Sequence, residues 1–202
     1  MRLLLDTDIV CKLGVAGLLP ATAEALGVAL GECARLPALP HMLRRGKLVK
    51  RYGPEHCAVL GSLVALIAEI DTPSERWLAP LLNIPDVDAG EAQLLALAAE
   101  RSELLLSGDK RSLRAVARIP DLLAALSGRI VTLEAILIEL CRRRGIDAIR
   151  ASVAPLIDLE PPDPAFRVCF SAGNADPISA LRSYLRYLED EAAPLKLWRP
   201  SE

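Results

Sequence analysis

The chain has 202 residues, of which 52% are hydrophobic and only 3% aromatic. That length buries a core without disulfide or metal staples, and the core must be built mainly from Leu, Ala, Val and Ile. A formal net charge of −2 excludes a globally basic nucleic-acid binder and leaves only local basic faces for such a role. The five cysteines, Cys11, Cys33, Cys57, Cys141 and Cys169, are odd in number and lack C-x-x-C spacing. They argue against a zinc site and a disulfide framework, suit a reducing cytosol, and read as small core residues. Asp6, Asp8 and Lys12 interrupt any secretory h-region, and the apolar stretch from Cys57 to Ala68 is too short to span a membrane. The expectation is a soluble cytoplasmic protein with no membrane association.

The chain opens MRLLLDTDIV, where Leu3, Leu4 and Leu5 read as a short buried strand ended by Asp6. Asp8 is placed to cap a helix over 8–19 that Pro20 stops. ATAEAL gives a short second helix, LGVAL (26–30) a second strand, and GECARLPALPHML a helix broken at Pro37 and Pro40. Residues 44–53, RRGKLVKRYG, form a loop carrying Arg44, Arg45, Lys47, Lys50 and Arg51, either solvated or facing a polyanion. A helix follows over 54–70, and Thr72 caps another that ends near Leu82.

DAGEAQLLALAAE (88–100) is a strong helix with the D-x-x-E pattern of a capping box. ELLLSGD (103–109) repeats the opening device of three leucines followed by an aspartate. The next helix ends at Pro120, DLLAAL makes a short one, and RIV (129–131) is a strand. Thr132 caps a helix stopped by Gly145. Strands alternating with helices predict an α/β fold with a parallel sheet covered on both faces. Beyond Gly145 the prolines multiply, and DPISALRSYLRYLEDEA (176–192) carries Leu181, Leu185 and Leu188 on one stripe. The organisation is thus a body over 1–144 and a helical C-terminal extension over 145–202.

Loops at the carboxyl ends of parallel strands share one crevice. On this assignment Asp6, Glu32 and Asp109 each follow a strand, and Glu91 on a helical first turn faces the same edge. Such a carboxylate cluster repels itself unless cations compensate, and with only two histidines the fitting cation is Mg²⁺ or Mn²⁺. All-carboxylate metal sites serve phosphate chemistry. Each acid also has a plainer reading: Asp6 as a strand-end residue bonding to the following turn, Asp8 and Asp109 as helix caps, Asp88 and Glu91 as a capping box, and Glu32 as a first-turn glutamate favoured by the helix dipole.

The strings LLLDTD, DAGEAQLLALA, LLLSGD and RIVTLEAILIEL together resemble a PIN domain, the fold of many prokaryotic toxin nucleases and RNA-processing enzymes, over residues 2–144. The GEA segment is similar to that of prokaryotic PIN-like proteins. The resemblance implies a three-layer α/β/α sandwich with a short parallel sheet and metal-binding acids at Asp6, Glu32, Glu91 and Asp109. It places Asp8 beside the first acid, Asp88 as support, and a hydroxyl at Ser107. It further implies Mg²⁺- or Mn²⁺-dependent hydrolysis of single-stranded RNA, an antitoxin protein as partner, and a homodimer. The basic residues at 44–51 and the Arg111 and Arg114 face would grip phosphates. The alternative is a catalytically degenerate PIN-like binding or scaffold module.

Overall fold

The computed structural model describes residues 2–159, 163–171 and 173–200. Strand β1 (Leu3–Leu5) leads into α1 (Thr7–Val15) and α2 (Leu19–Ala25). Strand β2 (Cys33–Arg35) is followed by α3 (Leu39–Met42) and α4 (Lys47–Val64), and β3 (Ala68–Glu69) by α5 (Glu75–Leu82) and α6 (Ala89–Arg101). Strand β4 (Leu104–Leu106) precedes α7 (Lys110–Ala117) and α8 (Pro120–Leu126), and β5 (Ile130–Val131) runs into α9 (Leu133–Arg144). The chain continues through α10 (Ile146–Ile157), α11 (Pro164–Phe170) and α12 (Pro177–Ala192).

The strands form one all-parallel sheet in the order β3-β2-β1-β4-β5. Leu3 stands beside both Cys33 and Leu104 in the register. Every residue of β1 and β4 is buried, which is why both read as unbroken leucine rather than as an alternating pattern. With this strand order, the right-handed rule for parallel crossovers assigns α1–α4 to one face and α5–α8 to the other. The helix contacts follow that division: α1 packs on α2 and α4, while α6 packs on α5 and α8. The result is an α/β fold compatible with three layers.

Five expectations change, one being that Ser74 and not Thr72 stands at the N-terminus of α5. The second strand lies at Cys33–Arg35, not at 26–30, because Gly27 at φ 74° turns the chain after α2 and Leu30–Glu32 forms a single 3-10 turn. Arg35 is tolerated inside because its guanidinium donates to the carbonyls of Val64 and Leu36 and to Glu69. Pro20 and Pro120 open α2 and α8 instead of ending the helices before them, since the first turn has no use for the missing N–H. The 44–53 stretch is largely helical: α4 begins at Lys47 and kinks at Gly53 (φ 79°) before Pro54. The edge strand β3 is exposed and lacks any apolar signature, and so escaped the sequence pattern.

The C-terminal helices are present as expected, and their side chains belong to the same core as the sheet. Phe166, Phe170 and Leu181 are essentially inaccessible and cluster with Leu3 and Leu106. Helix α12 packs on α9 and α7, and α10 on α9, α11 and α1. The Gly128 N–H donates to Lys196 C=O (2.6 Å) and the Trp198 N–H to Ile130 C=O (2.9 Å), so the last residues cover the outer edge of β5. Among the described residues no helix is long and apolar enough to cross a membrane.

Helix α1, which carries two residues of the acidic crevice described below, meets α4 at Gly14. A Cβ added there would come within 2.3 Å of Leu60 Cδ2. Gly14→Val should therefore overpack this crossing and lower unfolding stability by about 1–3 kcal/mol, read as a reduced urea midpoint at unchanged m-value.

Candidate functional site

The order of the sheet reverses between β1 and β4, and in open parallel sheets this switch point is where the carboxyl ends leave a crevice. Asp6 stands directly after β1, its N–H donating to Leu106 C=O at 3.1 Å, so the backbone ties it to the end of β4. Asp109 lies three residues past β4 as the N-cap of α7. The start of α6 brings Asp88 and Glu91 to the same place. It can do so because Gly90 presents no side chain to Leu36, whose Cδ1 would lie 2.7 Å from an added Cβ. These residues line a cavity of about 700 Å³.

Four further charged residues complete the crevice: Asp8 and Lys12 from α1, Glu134 from the first turn of α9, and Asp163 just before α11. Glu134 repeats the strand-then-acid device after β5, a signal already legible in RIVTLE. Asp163 had no such signal, because it reaches the crevice only through the folding of the C-terminal segment. Its carboxylate caps α11 by accepting the N–H groups of Ala165 and Phe166. The Lys12 ammonium lies 2.5 Å from Asp8 and 2.6 Å from Asp163.

The crevice divides electrostatically in two. In the half formed by Asp6, Asp88, Glu91 and Asp109, negative charge is under-compensated. Burial, then the charges of Asp8 and Asp88, push the Asp6 carboxyl up to about 6, against partial relief from the Thr7 amide and Lys12. Glu91 rises to about 7 through burial and the charges of Asp109, Asp88 and Asp6, opposed by the Asp88 N–H. Burial also acts to raise Asp109, but the Arg111 guanidinium and amide outweigh it and hold this carboxyl below the usual range. In the other half burial would neutralise Lys12, yet Asp8 and Asp163 overcome that penalty and raise its pKa, so the ammonium stays charged. Burial raises Glu134.

Each sequence-predicted residue can now be placed. Asp6, Glu91 and Asp109 line the same cavity, and Asp88 caps α6, accepting the Gly90 and Glu91 N–H groups at 2.8 Å while Glu91 accepts the Asp88 N–H at 3.1 Å. Asp8 is not the cap of α1 but sits in its first turn, paired with Lys12 one turn on. Glu32 is a correction: it precedes β2, so it lies at the opposite edge of the sheet, where its carboxylate accepts the Ala29 N–H. Displacement of the strand by a few residues moved this acid from one end to the other. Ser107 is a second correction, buried in the backbone ladder at the end of β4 and not among the residues lining the cavity.

The basic residues are likewise sorted. Arg111 is paired with Asp109 (3.0 Å) and Arg114 with Glu191, so neither is free to grip phosphate as it stands. Arg44, Arg45, Lys47 and Lys50 are exposed, with Arg45 against His41 at 2.6 Å. Arg51 lies over the Tyr52 ring. This segment adjoins the crevice, since Met42 and Leu48 form part of its apolar wall.

The donor set suits a hard divalent cation: every acid offers oxygen, and the carboxyls of Asp6 and Glu91 are raised by burial and then by neighbouring negative charges that a cation would offset. Buried Glu134 adds an oxygen, Oε2, with no hydrogen-bond partner. Among the described residues no three His, Cys, Asp or Glu side chains converge on one point as they stand. Asp109 is held by Arg111 and Glu91 by the Asp88 amide, and each bond must be exchanged for an ion to be held. Comparison with protein-family models, with curated proteins and with solved structures finds no match to this chain.

Proposed function

We propose that the chain is a PIN-like nuclease domain that hydrolyses phosphodiesters of single-stranded RNA with Mg²⁺ or Mn²⁺. The observation that carries this reading is that Asp6, Asp88, Glu91 and Asp109 line one cavity at the switch point of a parallel sheet, where burial first and neighbouring carboxylates second raise the Asp6 and Glu91 carboxyls. Carboxyls perturbed by burial and by specific charged neighbours in a cleft cluster at functional sites. Asp6, Glu91 and Asp109 would hold the ion. A bound Mg²⁺ or Mn²⁺ supplies Lewis-acid stabilisation of charge on the phosphoryl oxygens and a water activated near neutral pH.

The chain's own residues divide the remaining work. Asp88 fixes the first turn of α6 and hence the position of Glu91. The exposed cations of residues 44–50 belong to the segment that supplies Met42 and Leu48 to the crevice wall, and offer phosphate contacts outside the acidic floor. Leu36, Met42 and Leu48 form an apolar wall against which a base can rest. An antitoxin partner and a homodimeric assembly belong to the same proposal.

The test is Mn²⁺-dependent cleavage of a mixed single-stranded RNA pool by the full chain and by Asp109→Asn. Cleavage by the wild type with a loss of about 10²-fold or more in the variant supports the assignment; equal cleavage by both refutes it. The pairing of Asp109 with Arg111 favours a second reading, a PIN-like binding module without catalysis. That reading requires the wild type to bind no Mn²⁺ in calorimetry and to leave the RNA intact.

A further inference from the structure

The half of the crevice opposite Glu91 contains three carboxylates and a lysine. Asp8 and Asp163 grip the Lys12 ammonium from two sides, one from α1 itself and the other from the C-terminal segment. Glu134 lines the same cavity, is more than nine-tenths buried, and keeps Oε2 without a partner. The charges of Asp163 and Lys12 act on it in opposite directions, the first raising its pKa and the second lowering it. Two carboxylates hold the ammonium directly, and the unpartnered Glu134 oxygen lines the same cavity, an all-oxygen donor set of the kind a hard divalent ion takes.

We propose that the Lys12 ammonium is a built-in cation filling a second ion position bounded by Asp8, Glu134 and Asp163, so that the crevice takes a single divalent ion. The statement about a single ion rests on the metal reading of Asp6, Glu91 and Asp109. A tethered ammonium satisfies the second set of carboxylates at every metal concentration, whereas two free ions would have to be bound in turn. Lys12 is thus a positioning residue, and Asp163 gives the C-terminal segment a direct part in the crevice. The ammonium also explains why Asp163, though buried, is tolerated as a charged cap: it has both a cation and two amide donors.

The experiment counts Mn²⁺ ions on the full chain at saturation by native mass spectrometry, with equilibrium dialysis as a check. Lys12→Gln should bind one ion more than the wild type, Lys12→Arg should not, and adding Asp163→Asn to Lys12→Gln should abolish the gain. An unchanged count in folded Lys12→Gln overturns the inference. So do two ions on the wild type, an outcome that does not depend on any variant folding. If the wild type binds one ion and Lys12→Gln also binds one, the nuclease reading survives and the role of Lys12 does not. If the wild type binds none while Lys12→Gln binds one, the role of Lys12 stands and the proposed metal-dependent activity fails.

Discussion

Raising the pH of the metal-free protein from about 4.5 to about 7.5 should destabilise it, and Asp6→Asn should remove much of that loss. Both carboxyls have folded-state pKa values above their ordinary ones, about 6 for Asp6 against 3.8 and about 7 for Glu91 against 4.5. The folded state therefore holds protons that the unfolded state has released, and unfolding free energy falls as pH climbs between the two sets of values. At about 1.4 kcal/mol per unit, and allowing for mutual coupling and partial exposure, the combined loss is about 2–4 kcal/mol. Asp109 works the other way: its lowered value contributes stability that disappears only as pH falls below the usual carboxylate range, outside this window.

Guanidinium unfolding across this pH series, in chelator, measures the effect. A flat profile would count against the crowded-carboxylate description of the crevice. In chelator at pH 7.5, Asp6→Asn should match or exceed the wild type in stability by about 1–2 kcal/mol, because the repelling charge is gone. With Mn²⁺ at about a hundred times its dissociation constant the order should reverse, since the wild type gains about 2.7 kcal/mol that the variant cannot. An Asp6→Asn protein that remains the more stable of the two in Mn²⁺ would remove the metal from the proposed function.

The second large effect concerns the C-terminal segment. Phe166 is fully buried in the core that contains β1, and α11, which carries it, begins directly after Asp163. Phe166→Ala should cost about 3–5 kcal/mol, the combined loss of transfer free energy and of packing around the cavity left behind. Because the core is continuous, the protein should still unfold in one transition, with fluorescence and circular dichroism coinciding. Two separate transitions, with the body unaffected, would mean that residues 145–202 fold as an independent appendage. The Lys12–Asp163 pair makes a further link to the crevice, so Phe166→Ala should also weaken Mn²⁺ binding beyond what its global instability predicts.

Sequence alone determined the elements whose local signals agree with their burial. Leu3–Leu5 and Leu104–Leu106 are strands because unbroken leucine bounded by acids suits only a sheet covered on both faces. The start of α6 was equally legible, since D-x-x-E before an alanine-rich run satisfies the exposed amides of a first turn. Asp6, Glu91 and Asp109 followed from those elements, because a strand's end and a helix's start fix where the next side chain stands.

Tertiary structure decided the rest. The CAR strand carries a buried arginine that is stable only because Val64 and Glu69, distant in sequence, accept its hydrogen bonds, so no local pattern announces it. A shift of this strand by a few residues was enough to send Glu32 to the opposite edge, since the two ends of a parallel sheet are chemically separate surfaces. Lys12, Glu134 and Asp163 stand far apart along the chain, and the charge balance of the crevice arises only where the C-terminal segment closes on α1. Local propensity specifies elements one at a time; which carboxylate receives a cation depends on long-range packing that brings them within Coulombic reach.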